Sequence, residues 1–226
     1  MFVSAILAAA GRGTRLGAGA PKQMLMLGDR TILQRSFEII EAHDEIDEIV
    51  IALPKDLAGA PPPYLVSARK PVRIVDGGLR RQDSVANAFA RVSDRASVIV
   101  IHDAARPFAT AGLFSRVIDA AAKGGAAIAA IQASDTVKEA TAAPGVRIVA
   151  QTLVRESIYL AQTPQAFNRE VLEDAIALSR QTTGTATDEA SLAEQSGHPV
   201  RLVDGEPTNI KITTQQDLDV SNAVLG

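Results

Sequence analysis

The sequence predicts an α/β protein built on a mainly parallel sheet flanked by helices. Short apolar runs alternate with amphipathic stretches along the chain, which is typical of strands joined by helices. Hydrophobic residues make up 46% of the 226 residues but aromatic residues only 4%. Ala, Val, Ile and Leu must therefore fill the core, as they usually do in parallel sheets. The length fits one fairly large domain, and we expect residues 1–226 to form it.

The predicted elements follow one another in a regular order. Five apolar runs predict buried strands and three amphipathic stretches have the spacing of helices. The strands are predicted at residues 2–9, Glu48–Leu53, 72–75, 97–101 and 125–131, and the helices at 31–43, at 83–92 and around Leu113, Phe114, Val117, Ile118 and Ala121. Asp83 or Ser84 is expected to cap the second helix. The last third predicts helices near 170–180 and 188–195, a strand near 200–203, and a short strand at 209–212 before a final helix.

A hairpin interrupts this order. Residues 135–141 and Val146–Thr152 flank Pro144 and Gly145, which are the favoured central pair of a type II turn. An isolated hairpin is marginal in water and needs a surface to pack against. We interpret residues 135–155 as an arm that joins two subunits into a homodimer. The alternative is a hairpin that folds back onto its own domain.

Composition and charge exclude several function classes. A formal net charge of -3 argues against a nucleic-acid-binding surface. The absence of Cys excludes disulfides, thiolate catalysis and cysteine-ligated metal. His43, His102 and His198 lie far apart in the sequence, so a histidine zinc site is not expected. Neither a signal peptide nor a membrane-spanning segment is recognisable, and we expect a soluble, cytoplasmic protein that does not bind membranes.

The loop after the first predicted strand points to phosphate binding. Residues 7–17 read Leu-Ala-Ala-Ala-Gly-Arg-Gly-Thr-Arg-Leu-Gly, and Arg15 and Lys22 supply two cations. Glycines let backbone N–H groups approach an anion closely. The third glycine comes one position too late for a dinucleotide fingerprint, and the chain has no Gly-Lys-Ser or Gly-Lys-Thr of a P-loop. The alternative is a strand-to-helix turn in which the glycines only permit a bend.

Three loops should converge on one crevice, because ligands of open parallel sheets gather at the carboxyl ends of strands. They are the loop after Ala10, residues 76–78 and residues 102–107. Asp103 closes a strongly hydrophobic strand there, and a carboxylate beside substrate phosphates suits Mg²⁺. The alternative is an Asp that caps the following turn. Arg106 either belongs to the site or pairs with Asp103 as a structural clamp.

Several other candidates are not distinctive on chemical grounds alone. Ser84 has the character of a helix N-cap, and Thr187 precedes Asp188 and Glu189 at what resembles a helix start. Lys211 on a short predicted strand would usually be a solvated surface charge. Arg155 and Thr163 are equally unremarkable by chemistry.

Taken together, the motifs resemble those of the 2-C-methyl-D-erythritol 4-phosphate cytidylyltransferases. They occur in family order and cover nearly the whole chain; each is weak alone, and the set is highly specific. The motifs are Ala-Ala-Gly-Arg-Gly-Thr-Arg at 9–15, Pro-Lys-Gln at 21–23, Asp-Gly-Gly at 76–78 with Arg81 and Ser84, His-Asp-Ala-Ala-Arg-Pro at 102–107, Asp-Thr-Val-Lys at 135–138, Thr-Pro-Gln at 163–165, Thr-Asp-Glu-Ala-Ser at 187–191 and Asn-Ile-Lys at 209–211.

The resemblance implies a Rossmann-like nucleotidyltransferase fold, a homodimer joined through the arm, and a reaction with two substrates. CTP and 2-C-methyl-D-erythritol 4-phosphate would give the CDP-linked methylerythritol and pyrophosphate, with Mg²⁺ as cofactor. It also implies roles for individual residues. The residues that stabilise the transition state in the family are matched by Arg15 and Lys22. Those that position the acceptor phosphate are matched by Lys211 and by Arg155, which would reach across from the partner's arm; other contacts to the acceptor are matched by Thr136, Thr163 and Thr187, and Arg106 is grouped with them. The positions around CTP and its metal are matched by Ala9, Ala10, Gly11, Gly13, Gly78, Arg81, Ser84, Asp103 and Ala104. Arg80 departs from the family, in which this position is often acidic, and adds positive charge near the base pocket.

The expected chemistry needs no enzyme nucleophile, because an ionised acceptor phosphate attacks the α-phosphorus of CTP. Cations must offset the repulsion between the two anions. A pentitol-phosphate cytidylyltransferase, for example one using ribitol 5-phosphate, is the nearest alternative; such relatives usually carry Ala-Gly-Gly where this chain has Ala9-Ala10-Gly11. A dinucleotide-dependent oxidoreductase is disfavoured by the glycine spacing. A non-catalytic nucleotide-binding module is disfavoured because binding alone would tolerate the loss of Arg15 or Lys22.

Overall fold

The computed structural model describes residues 1–11, 21–143, 145–181 and 186–225. The strands are β1 Val3–Ala8, β2 Met26–Leu27, β3 Arg30–Thr31, β4 Glu48–Leu53, β5 Val72–Asp76, β6 Val98–Asp103, β7 Ala126–Gln132, β8 Lys138–Ala143, β9 Val146–Thr152, β10 Tyr159–Asn168 and β11 Arg201–Asp204. The helices are α1 Ile32–Ala42, α2 Lys55–Gly59, α3 Pro63–Val66, α4 Arg81–Phe89, α5 Ala111–Gly124, α6 Arg169–Gln181, α7 Glu189–Gln195 and α8 Gln215–Leu225, with 3₁₀ turns at Lys22–Met24 and Arg155–Ser157.

Seven strands form the central sheet, in the order β11-β7-β10-β6-β1-β4-β5. The pairs β6–β1, β1–β4, β4–β5 and β11–β7 are parallel, whereas β10 runs antiparallel to both of its neighbours, β6 and β7. The predicted α/β class with a mainly parallel sheet is therefore confirmed.

Different helices cover the two faces of this sheet. Successive side chains of a strand point to opposite faces, so β4 presents Ile49 and Ile51 to one face and Val50 and Ala52 to the other. The first face packs against α1 and α5, and the second packs against α4, α6 and α7. The carboxyl ends of β1 and β6 consequently lie between two layers of helices.

Side-chain caps and a glycine set the ends of two long helices. Thr31 Oγ1 accepts a hydrogen bond from the Gln34 N–H at the start of α1, at 3.1 Å. Thr110 does the same for Leu113 at the start of α5, and α5 ends at Gly125, whose φ of 87° favours glycine.

The second predicted helix begins earlier than expected. Neither Asp83 nor Ser84 is its N-cap, because α4 begins at Arg81 and its N-cap residue is Arg80. Asp83 occupies the third helical position, where its carboxylate accepts a hydrogen bond from the Arg80 N–H at 3.1 Å. The predicted cap was therefore assigned three or four positions too late.

Two further differences concern the last third of the chain. β10 was not predicted, and it passes through the middle of the sheet with a register shift between Ala161 and Gln165. Pro164 lies at this irregularity, after a cis Thr163–Pro164 peptide bond. The strand predicted at 209–212 is wrong, because this segment is irregular. It is attached to the fold by isolated hydrogen bonds, such as that from Ile212 N to Ala105 O at 2.8 Å.

The predicted hairpin is present as β8 and β9, which pair with each other in a separate two-stranded sheet. Every residue of β9 is exposed. Along the part of the chain that the structure describes, no helix is long and apolar enough to span a membrane.

Candidate active site

A cavity of about 500 Å³ opens at the carboxyl ends of β1 and β6. Its lining comes from segments far apart in the sequence, which the parallel sheet brings to one edge, as expected for this class of fold. The lining residues are Ala8, Ala9, Ala10, Gly11, Lys22, Gln23, Gly78, Leu79, Arg80, Arg81, Ser84, Asp103, Ala104, Ala105 and Lys211.

The two sides of the cavity belong to the two helical layers. On one side lies the loop after β5 together with the start of α4, whose Val85 packs against the second face of the sheet. On the other side lies the 3₁₀ turn Lys22–Met24, and Met24 packs against the first face. A ligand in the cavity is therefore held between two independently supported walls.

The loop after β5 approaches the glycine-rich strand end very closely. A Cβ on Gly77 would lie 2.1 Å from the Ala10 Cβ, so only glycine fits between the two segments. Ser84 Oγ accepts a hydrogen bond from Gly78 N at 3.0 Å and donates one to Arg80 O at 3.2 Å. Ser84 thus fixes the shape of this loop from within the first turn of α4.

Four alternating charges form a chain across the cavity floor. Glu189 Oε2 accepts from Arg81 Nη1 at 2.5 Å, and Arg81 Nε donates to Asp103 Oδ1 at 2.9 Å. Lys211 Nζ donates to Asp103 Oδ2 at 2.6 Å. The side chain of Glu189 is 1% exposed and that of Asp103 9%, so these pairs lie in a low-dielectric environment where Coulomb interactions are strong.

Burial and charge pairing shift the pKa values of these paired charges in opposite directions. Burial alone would raise the pKa of Asp103, but Arg81 and Lys211 hold it well below its usual range. Burial would lower the pKa of Arg81, but Asp103 and Glu189 raise it above its ordinary value. The pKa of Glu189 is raised by burial, with Arg81 opposing the shift. Asp103 therefore stays ionised at every pH at which the protein would work.

Thr163 and His102 hold the backbone of Asp103 from behind. His102 Nε2 lies 3.0 Å from Arg106 O, which can only accept, so Nδ1 is the unprotonated nitrogen. The Thr163 hydroxyl donates to this Nδ1 at 3.0 Å and accepts from Asp103 N at 3.0 Å. Complete burial is the main reason that the pKa of His102 is lowered to about 4, which leaves the imidazole neutral.

The segment that carries Lys211 is anchored by β10 and by two basic side chains. Arg106 donates to Asn209 O at 2.7 Å and to Ala161 O at 3.2 Å. Asn209 is fully buried, and its Nδ2 donates to Thr163 O at 2.8 Å. Lys22 Nζ donates to Ile212 O at 3.3 Å. Arg106 is thus a clamp for this segment, and it is Arg81 and Lys211 that pair with Asp103.

The predicted site residues fall into three groups. Those that line the cavity are Ala9, Ala10, Gly11, Lys22, Gly78, Arg81, Ser84, Asp103, Ala104 and Lys211. Those that do not line it are Arg106 and Thr163, which support it from behind, and Thr136, Arg155 and Thr187, which are exposed. Gly13 and Arg15 lie outside the described residues.

The family comparison agrees with this assembly. The family model described as 2-C-methyl-D-erythritol 4-phosphate cytidylyltransferase matches residues 3–226. The chain belongs to this family. It is 42% identical to the 2-C-methyl-D-erythritol 4-phosphate cytidylyltransferase of Syntrophus aciditrophicus, over 99% of this chain and 95% of that protein. It is 47% identical to a protein of Anaeromyxobacter dehalogenans named bifunctional enzyme IspD/IspF, and it spans 57% of the length of that relative.

Solved structures show the same cytidylyltransferase fold. The 4-diphosphocytidyl-2C-methyl-D-erythritol synthase of Anaerococcus prevotii superposes with a TM-score of 0.88 at 31% identity, covering 99% of this chain and 96% of that one. The 2-C-methyl-D-erythritol 4-phosphate cytidylyltransferase of Thermus thermophilus superposes with a TM-score of 0.81 at 36% identity, over 99% and 98% of the two chains. The Rossmann-like nucleotidyltransferase fold expected from the motifs is therefore confirmed.

Glu189 and Gln23 are two residues of the candidate site to which the motifs assign no role. Both lie inside quoted motifs, beside Asp188 and Lys22. A charged or polar side chain next to a helix start or in a loop is usually solvated, so the sequence offers no signal that these two are buried. Only the three-dimensional arrangement identifies them.

Proposed function

We propose that this chain transfers CMP from CTP to 2-C-methyl-D-erythritol 4-phosphate and releases pyrophosphate. The observation that carries the proposal is the cavity that joins a glycine-rich strand end, the ionised Asp103 and the cations Lys22 and Lys211. Membership of the cytidylyltransferase family supports the same reaction. We retain residues 1–226 as one cytidylyltransferase domain.

In this proposal two neighbouring segments, the glycine-rich end of β1 and the loop after β5, bind different parts of the nucleotide. The backbone N–H groups of Ala10 and Gly11 receive the phosphates, since N–H groups of a glycine-rich turn attract anions. The Ala9 N–H donates to Ala52 O, so Ala9 contributes as part of the cavity wall. The loop of Gly78 and Ser84 receives the cytidine, as the family motif implies. The narrow contact at Gly77 keeps these two segments in a fixed relation.

The bond changes need positioning and charge and no covalent intermediate. An oxygen of the acceptor phosphate attacks the α-phosphorus of CTP, and the bond from that phosphorus to the bridging oxygen of the β-phosphate breaks. The electron pair leaves with pyrophosphate. The acceptor phosphate is already ionised near neutral pH, so no general base is required.

Cations are needed to offset the repulsion between the acceptor phosphate and the triphosphate of CTP. Lys22 and Lys211 lie on the cavity wall, and the proposal assigns Arg15 to the same task. Preorganised charges of this kind stabilise the negative charge that develops on the transferred phosphate. Arg155 and the threonines Thr136, Thr163 and Thr187 are assigned to the acceptor by family resemblance alone.

Asp103 is the residue that would hold Mg²⁺. Among the described residues no cluster of three or more His, Asp or Glu side chains is arranged for a metal. One ionised carboxylate at the cavity floor nevertheless fits Mg²⁺, which binds proteins through one or two carboxylates together with substrate phosphates. When bound, the ion would neutralise charge on the triphosphate. Asp103 Oδ1 accepts from Arg81 at 2.9 Å and Oδ2 from Lys211 at 2.6 Å, so such an ion would share the carboxylate with these two cations or displace one of them.

We further propose that the arm makes a homodimer in the cytoplasm. Val146, Ile148 and Val149 on β9 are 55–57% exposed, and Leu160 at the start of β10 is 52% exposed. Apolar side chains concentrated on one hairpin are typical of a partner-binding surface. Arg155 follows β9 and donates to Ser134 O at 3.0 Å, away from the cavity of its own chain. In a dimer, Arg155 of each subunit would lie at the cavity of the other subunit.

A pyrophosphate-release assay tests the reaction. Purified chain with CTP and Mg²⁺ should release pyrophosphate with 2-C-methyl-D-erythritol 4-phosphate and much less with ribitol 5-phosphate. No release with either acceptor, or faster release with ribitol 5-phosphate, would contradict the proposal.

Light scattering after size exclusion tests the dimer. The wild-type chain should elute as a dimer at micromolar concentration, and Ile148→Lys should shift it toward monomer because a charge would enter the interface. Lys123→Ala, on the exposed face of α5, is the matched surface control. A wild-type monomer at this concentration would rule out the arm as a constitutive contact.

A further inference from the structure

Gln23 is a buried polar residue on the cavity wall that belongs to a quoted motif but has no role assigned to it so far, either by that motif or in the chain of charges. It lies in the 3₁₀ turn Lys22–Met24 and is 2% exposed. Among the residues that the structure describes, neither its Nε2 nor its Oε1 has a hydrogen-bond partner. A buried amide without partners is destabilising, and such groups in folded proteins call for an explanation.

Two other buried glutamines, Gln82 and Gln162, use both ends of the amide, and a third, Gln165, lacks a partner for its Oε1 only. Gln82, at 4% exposure, donates to Ser179 O at 3.4 Å and accepts from Ala186 N at 2.8 Å. Gln162, at 5%, donates to Glu206 O at 2.9 Å and accepts from Asn209 Nδ2 at 3.2 Å. In both residues the amide nitrogen and the amide oxygen each form a hydrogen bond within the protein. Gln23 has the same chemistry and lines a ligand-sized cavity, which points to a ligand as its partner.

The position of Gln23 decides which ligand it faces. Its neighbour Lys22 donates to Ile212 O, so this wall adjoins the segment of Lys211. The loop of Gly78 and Ser84, to which the proposed function assigns cytidine, belongs to the opposite wall. Gln23 therefore lies on the side of the cavity that holds Lys22 and Lys211, and family resemblance assigns Lys211 to the acceptor phosphate.

The chemistry of a carboxamide narrows the choice further. A phosphate oxygen could accept from Nε2 but would leave Oε1 without a donor. A hydroxyl group both donates and accepts, and neighbouring hydroxyls of a polyol can satisfy both ends of the amide. We propose that Gln23 binds the hydroxyl groups of the polyol phosphate acceptor and so contributes to acceptor specificity. This inference rests on the proposed function, because it takes the acceptor to be a polyol phosphate.

The substitution Gln23→Met tests the contact because it keeps the length of the side chain and removes both polar ends. We expect the KM for 2-C-methyl-D-erythritol 4-phosphate to rise about tenfold or more, with the KM for CTP unchanged, since a hydrogen bond to substrate is lost. The melting temperature should stay the same or rise, because no internal hydrogen bond is broken. Gln82→Met is the matched control, and it should lower the melting temperature and leave the KM for the acceptor unchanged.

Acceptor analogues that each lack one hydroxyl give a second measurement. The wild-type chain should discriminate against one of them by about tenfold, and Gln23→Met should lose that discrimination. An unchanged acceptor KM, an equal rise in both KM values, or a fall in melting temperature like that of Gln82→Met would each overturn the inference. If the wild-type chain itself releases no pyrophosphate with any polyol phosphate, the proposed function fails first and the inference falls with it.

Discussion

Lys211 and Asp103, which are 108 positions apart in the sequence, form an ion pair of 2.6 Å at the floor of the cavity. The lysine side chain remains 40% exposed while that of the aspartate is 9% exposed. The ammonium group is therefore accessible from the cavity while it remains paired with Asp103. This geometry places one cation where an incoming phosphate and a metal-binding carboxylate meet.

Removal of this cation should reduce turnover much more than stability. We expect Lys211→Ala to lower the rate of pyrophosphate release by ~10²–10³, the usual cost of one preorganised charge contact. Lys22→Ala and Arg15→Ala should lose at least as much. Lys123→Ala, which removes an exposed lysine paired with Asp119, should keep wild-type turnover. A folded Lys211→Ala or Lys22→Ala protein with near-wild-type turnover would contradict the assigned role.

Glu189 should be essential for stability because it neutralises a buried arginine. In Glu189→Ala, Arg81 would keep Asp103 as a partner but lose the carboxylate at 2.5 Å. Removal of one member of a buried ion pair typically costs about 3–5 kcal/mol, and we expect a loss of that order in urea denaturation. Glu173→Ala, which disrupts an exposed helical pair with Arg169, should change stability by less than about 1 kcal/mol. Equal effects of the two substitutions would show that Arg81 does not need Glu189.

His102 should make the protein less stable in mild acid. Burial lowers its pKa to about 4 from an ordinary value of 6.5. Between pH 4 and pH 6.5, His102 is therefore protonated in the unfolded chain and neutral in the folded chain. This contribution is complete above pH 6.5 and is lost as the pH falls toward 4, by about 3 kcal/mol at most. Urea denaturation of wild type and His102→Asn between pH 7.5 and pH 4.5 measures it. The variant should show a shallower dependence on pH in this window, and identical slopes would count against the assignment.

Gly77 should be intolerant of any side chain. In Gly77→Ala the new Cβ would lie 2.1 Å from the Ala10 Cβ and would force the loop after β5 away from the glycine-rich segment that follows β1. We expect CTP to bind at least ~10-fold more weakly in a calorimetric titration, since small displacements of a binding site are costly. Gly59→Ala is the matched control, because nothing lies within 4 Å of its added Cβ. Unchanged CTP affinity in Gly77→Ala would mean that these two segments can separate without consequence.

Local patterns predicted the parallel half of the sheet well. Glu48–Leu53 was predicted with its observed bounds, because a continuous β-branched run between polar residues has few other solutions. Strand β10 escaped prediction because a proline and several polar residues interrupt it, and Pro usually argues against an internal strand. Its buried Gln162 and Thr163 accept hydrogen bonds from Asn209 and Asp103. Partners so distant in the sequence produce no periodic pattern of apolar residues from which the strand could be predicted.

The same limit applies to the site. The glycine-rich loop and Asp103 could be selected from chemistry and position, because both follow predicted strands. The pairing of Asp103 with Arg81 and Lys211 could not, since charges separated by many residues give no indication of which of them meet. The strand predicted at 209–212 was wrong for a related reason: alternation would place Ile210 and Ile212 together on one buried face, whereas the buried residues are Asn209 and Ile212, which have different neighbours.

The arm departs from the sheet and rejoins it at adjacent strands. Gln132 at the end of β7 pairs with Tyr159 at the start of β10, and Ala133 N donates to Ile158 O at 2.9 Å. The arm is therefore the elaborated tip of one long hairpin whose base is part of the sheet. Evolution can lengthen, replace or redecorate such a tip without altering strand register below it. The register of the seven-stranded sheet therefore does not depend on the length or the surface of the arm.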